Sequence, residues 1–327
     1  MTVRALYRAT KVESAAIPYD TIHLKVFYPA RLSGSERENN LGIVPADPEK
    51  APFPVVIFLS GINCAWEMYQ WLAVELAEQG IVVVTYNWVA ENLPGVIGLT
   101  PGVNLAMLAP NTYGTGATAS ALPAILAELE NLQANSLLAG MLNLQQVILG
   151  GHSAGGRVAL ESADPRFFPQ ITAAFAYAAH SAGAVMLGFP ADSILPLPSS
   201  VPMLLIGGTR DGVIAGSSER YGVSEGSPTR AVVRTFREAI TSDRKDSYLL
   251  IVEGANHFSI AHPADPTAAR GFLDFPVTQP EEKIRALLAE TIALFIDAHV
   301  RQNLQALERL GNLLNNHANL VAAFERK

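Results

Sequence analysis

The 327-residue chain contains very little cysteine and no cluster of basic residues. Cys64 is its single cysteine, which excludes an intramolecular disulfide framework and a cysteine-based zinc site. Its 23 Lys and Arg residues are outnumbered by 30 Asp and Glu, so the formal net charge is -7. A nucleic-acid partner needs a basic surface that this sequence does not offer. We therefore expect a small-molecule partner and no metal or organic cofactor.

The sequence also lacks a signal-peptide pattern and a clear membrane span. Near its start it carries the charges of Arg4, Arg8 and Lys11 in place of an apolar core. Of two long uncharged stretches, 92–127 is interrupted by Gly and Pro, and 167–191 is typical of a strand followed by a loop. We expect a cytoplasmic protein with no integral membrane segment, either a monomer or a homodimer.

What the chain has in abundance is an alternation of apolar runs and amphipathic segments. Hydrophobic residues make up 49% of it, ample for one large domain. The apolar runs 54–59 and 81–86 predict buried parallel strands, and 65–79 between them predicts the connecting helix. The same pattern predicts further strands at 21–28, 146–149, 173–179, 202–207 and 247–252, and helices at 117–131, 154–162 and 281–298. We expect an α/β fold over 1–300, a mostly parallel twisted sheet with helices on both faces, with 31–52 as a polar surface loop.

Two other segments are interpreted as additions to this domain. Segment 93–116 has no charge and follows a strand end, so it is interpreted as a lid or apolar pocket wall with Leu99 and Met107 as candidate pocket residues. Ordinary packing is the alternative interpretation. Segment 303–324 has leucines at helical spacing, which predicts that 301–327 is an appended C-terminal helix packed on the domain, with a dimer contact as the alternative.

The most informative motif is Gly-His-Ser-Ala-Gly at 151–155. It follows an apolar run and precedes a helical segment, an arrangement typical of a nucleophile elbow. Glycines two residues to either side of the serine leave room for strand and helix to approach closely, while the serine adopts strained dihedrals. Ser153 is therefore the candidate nucleophile, and His152 is expected to shape the elbow and border the pocket. A glycine-rich structural turn is the alternative.

Two candidate partners of Ser153 follow later predicted strands. Asp211 comes directly after 202–207, and His257 comes shortly after 247–252. Functional groups collect at the carboxyl ends of parallel strands, so these residues should lie together. A neutral imidazole can take the serine proton, and a carboxylate can orient the imidazole. The sequence therefore predicts Ser153 as nucleophile, His257 as general base and Asp211 as orienting acid.

Other residues of similar chemistry stay open as alternatives, because a carboxylate after a strand is often a turn former and a histidine is often packed in a loop. His262 is the second candidate base. Asp265 and Asp274 follow the proposed histidine and are poorer candidates for the acid. His180 is a candidate pocket residue whose alternative role is packing, and Cys64, to which no base can be assigned, is interpreted as a buried structural residue.

These motifs resemble the α/β-hydrolase superfamily, in which Gly-x-Ser-x-Gly is followed by Gly-x-x-Asp and then by a Gly-x-x-His loop. The later motifs stand here at 208–211 and 254–257. The Phe-Tyr-Pro-Ala segment at 27–30 and the helix containing 121–126 look most like the dienelactone-hydrolase-like group, which includes platelet-activating-factor acetylhydrolases, chlorophyllases and polyester hydrolases related to cutinase. The resemblance covers about residues 20–298. It implies the α/β-hydrolase fold and a serine esterase, since dienelactone hydrolases proper have cysteine where Ser153 stands.

Acyl transfer also needs two N–H donors for the developing oxyanion. One should be the backbone amide of Ala154. The other should come from Ser-Gly-Ile-Asn at 60–63, which occupies the place of His-Gly-x in many family members. Ile62 is the first candidate for it and Asn63 the second, and Asn63 is also a candidate pocket residue.

The predicted function is hydrolysis of an apolar carboxylic ester by a metal-free serine enzyme through an acyl-enzyme. No Lys or Arg is conspicuous near the predicted pocket to hold an anionic substrate. Thioesterase, peptidase, C–C hydrolase and perhydrolase activities use the same machinery and stay open. A ligand-binding protein on a retired hydrolase fold is the alternative from another class.

Overall fold

The computed structural model describes residues 2–93, 95–267, 269–316 and 319–327. A sheet lies at its centre and helices pack against it. The strands are β1 (Thr2–Lys11), β2 (Thr21–Ala30), β3 (Phe53–Leu59), β4 (Val82–Leu93), β5 (Val96–Leu99), β6 (Leu142–His152), β7 (Ile171–Tyr177), β8 (Met203–Gly208), β9 (Tyr248–Val252) and β10 (Val321–Arg326). The α-helices are α1 (Glu36–Leu41), α2 (Gln70–Glu78), α3 (Leu122–Asn135), α4 (Ser153–Glu161), α5 (Gly212–Ala215), α6 (Arg230–Arg234), α7 (Glu281–His299) and α8 (Leu304–Asn316).

The strands lie in the order β1-β2-β4-β3-β6-β7-β8-β9-β10, and β5 pairs with β4 outside this row. From β4 to β9 all neighbours are parallel, whereas β1, β2, β5 and β10 pair antiparallel. Parallel strands covered on both faces need continuous apolar sequence, which explains why Phe53–Leu59 and Tyr248–Val252 are buried throughout. The predicted α/β class with a mostly parallel sheet is confirmed.

The path of the chain places the helices on both faces of this sheet. From β3 the chain passes through α2 to β4, then returns through α3, past β3, to β6. Since parallel crossovers are right-handed, this reversal puts α2 on one face and α3 and α4 on the other. Helix α7 contacts α2 and shares its face. The carboxyl ends of β3 and β6 meet at the reversal, the place where open α/β sheets bind ligands.

All predicted strands and helices of the central unit are present, with shifted ends. Strand β4 continues beyond the predicted end at residue 86, because β5 folds back and pairs with it. Strands β1 and β5 were not predicted. The predicted loop 31–52 also contains α1, which begins after Ser35, whose side chain accepts the Glu38 N–H. Within the described ranges, no helix is long and apolar enough to cross a membrane.

The predicted C-terminal helix over 303–324 is only partly correct. Helix α8 ends at Asn316 and packs on α7, whereas Val321–Arg326 forms β10 and pairs with β9. His317 and Ala318 lie outside the described residues. A strand at this position covers the edge of β9 and satisfies backbone groups that a helix would leave unpaired. The tail 301–327 is therefore a helix followed by an edge strand.

The predicted lid segment 93–116 is tied to the body by backbone pairing. It contains β5, which pairs with β4, and a 3-10 helix at Leu105–Leu108. Val103 forms a further bridge with Ala119. Pro94 lies outside the described residues. This segment is therefore joined to the sheet through the pairing of β5 with β4.

Candidate active site

Ser153 stands where β6 ends and α4 begins. Its φ of 54° lies in the left-handed region, where a non-glycine residue is strained. Helix α4 passes so close to the end of β3 that a Cβ on Gly155 would lie 2.2 Å from the Leu59 carbonyl oxygen. A Cβ on Gly151 would lie 2.6 Å from the Gly155 carbonyl carbon. Close approach therefore requires both glycines of the motif.

Hydrogen bonds join Ser153, His257 and Asp211 into one chain. His257 Nε2 lies 3.0 Å from Ser153 Oγ, and His257 Nδ1 lies 2.8 Å from Asp211 Oδ2. Asp211 is fully buried, and its Oδ1 accepts the Ile214 N–H at 2.7 Å. A carboxylate at Nδ1 keeps the ring proton there, so Nε2 can accept the serine hydroxyl. Such a chain can take the proton from a serine as its oxygen attacks an electrophile.

The alternative base and one alternative acid lie away from this chain. His262 is exposed, and its backbone N–H donates to the Met68 carbonyl oxygen. Asp265 is also exposed, and its carboxylate accepts hydrogen bonds from Thr267. Neither residue is among the described residues that border the cleft at Ser153.

Asp274, the other alternative acid, has a position that the sequence did not reveal. Its Oδ1 accepts the N–H groups of Gly212 at 2.9 Å and His257 at 3.2 Å, and its Oδ2 accepts that of Phe258 at 3.2 Å. Burial raises the pKa of the Asp274 carboxyl, and the backbone donors partly oppose this shift. Asp274 therefore joins the loop that carries Asp211 to the loop that carries His257.

A second hydrogen-bond chain supports the loop after β3. Gly61 N–H donates to the Tyr69 hydroxyl at 3.2 Å, and that hydroxyl lies 2.8 Å from His152 Nδ1. His152 Nε2 lies 2.9 Å from the His257 carbonyl oxygen. Since a carbonyl only accepts, the ring proton is on Nε2, and Nδ1 accepts from Tyr69. Burial lowers the pKa of His152 well below its ordinary value, so the ring is neutral and both its nitrogen atoms are engaged.

Ser153 and His257 open onto a cleft of about 370 Å³. The predicted pocket residues Asn63, His152 and His180 border it.

Leu99 and Met107, the other predicted pocket residues, are not among the described residues of this wall. Leu99 is instead bonded to Asn63 through its backbone, accepting the Asn63 N–H at 2.8 Å and donating to Asn63 Oδ1 at 3.1 Å. Met107 lies beside Gly116, where an added Cβ would meet its Sδ at 3.0 Å. The segment 93–116 contributes Val96 to the cleft in their place, because pairing with β4 fixes which residues of β5 reach it.

Backbone N–H groups of two cleft residues are available near Ser153. Ala154 belongs to the first turn of α4, whose N–H groups have no acceptor within the helix. Ile62 N–H has no acceptor in the described part of the chain, whereas Asn63 N–H is used by Leu99. The geometry thus favours Ile62 over Asn63 as a second donor.

His180 and Cys64 are neutral groups of the cleft wall. Burial lowers the pKa of His180 to about 3, and its Nδ1 accepts the Ala182 N–H at 3.2 Å. Its ring meets that of Tyr221 edge to face. Burial raises the pKa of the Cys64 thiol to about 11, so the thiol stays protonated at neutral pH.

Three arginines also border the cleft, contrary to the expectation of no cation there. They are Arg157, Arg220 and Arg270. Arg220 belongs to a 3-10 helix at Ser218–Tyr221, and Arg270 directly precedes another at Gly271–Leu273. Such irregular segments carry no periodic pattern, which is why the sequence did not place them.

Within the described ranges, no group of three or more His, Cys, Asp or Glu side chains is arranged to hold a metal ion. Neither a scan against protein-family models nor a search of the curated proteins gives a match to this chain.

Proposed function

We propose that this protein is a serine hydrolase of the α/β-hydrolase fold that cleaves a carboxylic ester through an acyl-enzyme. The hydrogen-bonded chain from Asp211 through His257 to Ser153 carries this proposal. The strained serine at the strand-to-helix turn gives independent support, since a structural turn does not need this conformation. The position of Ser153 after β6, beside the reversal in strand order, is typical of the superfamily that the motifs resemble.

In the acylation step Ser153 Oγ attacks the ester carbonyl carbon while His257 Nε2 takes the hydroxyl proton. Asp211 stabilises the resulting imidazolium through its bond to Nδ1. The N–H groups of Ile62 and Ala154 hold the oxyanion, and each such donor contributes about 3 kcal/mol to the transition state. Collapse of the intermediate expels the alcohol, which receives the proton from His257.

In the deacylation step a water molecule gives its proton to His257 and attacks the acyl carbon, and the acid leaves as Ser153 regains its proton. The walls beside the serine include the apolar side chains of Ile62, Val213 and Ile214. These side chains favour an apolar acyl group, in line with the ester predicted from the sequence.

Hydrolysis of p-nitrophenyl esters from acetate to palmitate tests this function. We expect Ser153→Ala and His257→Ala to lower kcat/KM by about four orders of magnitude, because each removes a member of a cooperating set. His262→Ala is the matched control and should retain activity, since His262 lies outside the cleft. Labelling by a fluorophosphonate should require Ser153.

A folded wild-type protein that hydrolyses no ester and takes no label would contradict the proposal and favour a ligand-binding protein. Activity that survives His257→Ala but not His262→Ala would refute the base assignment.

A further inference from the structure

The wall of the cleft has a charge opposite to that of the whole protein. The chain carries a formal charge of -7, yet the described residues of the cleft wall include three arginines and no Asp or Glu. The carboxylate of Asp211 is fully buried and bonded to His257. A ligand in the cleft therefore meets a wall that, among the described residues, carries guanidinium groups and no carboxylate of its own.

The arginines differ in what they already bind. Arg157 Nε donates to Glu161 at 2.8 Å, and another nitrogen of its guanidinium donates to the Ala182 carbonyl oxygen at 2.8 Å. The side chains of Arg220 and Arg270 donate no hydrogen bond and form no ion pair with any residue that the structure describes. Arg157 is thus a structural residue, whereas Arg220 and Arg270 have donors left for a ligand.

Arg220 and Arg270 come from separate segments and meet at the same cleft. Burial lowers the pKa of Arg270, and the positive charge of Arg220 lowers it further. Two guanidinium groups that have no ion-pair partner among the described residues repel each other at this cleft. A carboxylate or phosphate oxygen pair held by both would replace this repulsion with short, charge-assisted hydrogen bonds.

We propose that the substrate is an ester bearing an anionic group, a carboxylate or a phosphate, and that Arg220 and Arg270 bind this group. The proposal rests on the hydrolase function and names its substrate class. Since Ile62 and Ile214 line the same cleft, the ester combines an apolar part with the anion. The proposal thereby adds an anionic group to the ester of an apolar acyl group that the sequence predicts.

Pairs of esters that differ in charge test the proposal. 3-(Hexanoyloxy)benzoate and 3-(hexanoyloxy)phenyl phosphate are compared with neutral phenyl hexanoate, which puts the anion on the alcohol side. The monoester of adipic acid with 4-nitrophenol is compared with 4-nitrophenyl hexanoate, which puts it on the acyl side. The quantity measured is the ratio of kcat/KM for the anionic ester to that for its neutral partner.

We expect Arg220→Gln and Arg270→Gln each to lower this ratio about tenfold to hundredfold in at least one pair, mainly through KM. Arg270→Lys should restore part of it, because a lysine keeps the charge but loses the paired donors. The matched control is Arg309→Gln on α8, whose side chain is 68% exposed and lies outside the cleft. Added salt should lower the ratio for wild type.

Calorimetric binding to the Ser153→Ala protein separates this proposal from the hydrolase function. If that protein binds 3-(hexanoyloxy)benzoate more tightly than phenyl hexanoate, and Arg220→Gln abolishes the difference, the anion site stands even if wild type turns over no ester. If wild type hydrolyses the esters with ratios that neither arginine variant changes, the anion site is refuted and the hydrolase function stands. The ester with the highest ratio identifies the anion and its position.

Discussion

At the residue scale, the position of the His257 imidazole depends on side chains that never touch the reacting atoms. Asp274 accepts backbone N–H groups from the two loops that carry Asp211 and His257. Asp274 is half-buried, so water cannot replace its carboxylate as an acceptor at no cost. Asp274 is therefore a positioning residue in the proposed reaction.

Replacing Asp274 by alanine should lower kcat about tenfold to hundredfold with little change in KM. Small displacements of a general base reduce the rate strongly, whereas the cleft that binds the ester is unchanged. Loss of this half-buried acceptor should also lower the free energy of unfolding by about 1 kcal/mol. Steady-state kinetics and urea unfolding measure the two effects.

Asp265→Ala is the control for this prediction, because Asp265 is exposed and, in the described part of the chain, its side chain bonds only to Thr267. Asp274→Asn keeps an oxygen acceptor and should recover part of the rate. Equal kcat for Asp274→Ala and wild type would show that His257 needs no support from Asp274.

The residues that the sequence could predict share a simple geometric property. Ser153, Asp211 and His257 each follow an apolar strand within a few residues, so the strand pattern alone predicts that they meet at one edge. Arg220 and Arg270 follow no strand, and only tertiary packing brings their loops to the cleft. Periodic patterns in the sequence therefore do not predict where residues of irregular segments lie.

At the element scale, the site depends on how closely α4 approaches the end of β3. A Cβ on Gly155 would lie 2.2 Å from one carbonyl oxygen of that strand end and 2.3 Å from the next. Both contacts are with backbone atoms, which cannot rotate away as a side chain would.

Gly155→Ala should therefore lower the free energy of unfolding by at least about 3 kcal/mol, because helix and strand must separate. Gly311→Ala is the matched control, since Gly311 lies in α8 and no atom of the described residues lies within 4 Å of an added Cβ. Because alanine has a greater helix propensity than glycine, Gly311→Ala should raise the free energy of unfolding by about 1 kcal/mol. Urea unfolding of both variants provides the comparison, and a Gly155→Ala protein as stable as wild type would contradict this helix–strand packing.

The strands that could not be predicted from the sequence are those whose local hydrophobic pattern is weak. Strand β10 contains two alanines and follows leucines at helical spacing, so local preference extends the helix. Its pairing with β9 is decided by an unpaired strand edge far away in sequence. Strand β5 is only four residues long and is likewise defined by its partner β4.

At the scale of the whole molecule, burial of neutral histidines links stability to pH. Burial is the largest cause that lowers the pKa of His152, His180 and His299 from the ordinary value of 6.5. For His180 the folded value is about 3 and for His299 about 4. The folded protein thus excludes protons that the unfolded chain binds readily.

This difference fixes the sign of the pH dependence. Where the unfolded state binds more protons, the free energy of unfolding rises with pH. The contribution of His180 is therefore fully present above pH 6.5 and is lost as pH falls from 6.5 towards about 3. Each fully buried histidine of this kind contributes a slope of about 1.4 kcal/mol per pH unit within that window.

We expect the urea midpoint to fall as the pH is lowered from 6.5 to 4.5. His180→Gln should reduce the slope of the free energy of unfolding against pH by the contribution of about one proton. His23→Gln is the control, because His23 is exposed in the folded protein and its replacement should leave the slope unchanged. An unchanged slope in His180→Gln would mean that His180 takes up a proton in the folded state. In that case a charged imidazole would stand beside the cleft, and it would add to the positive charge of Arg220 and Arg270 at acidic pH.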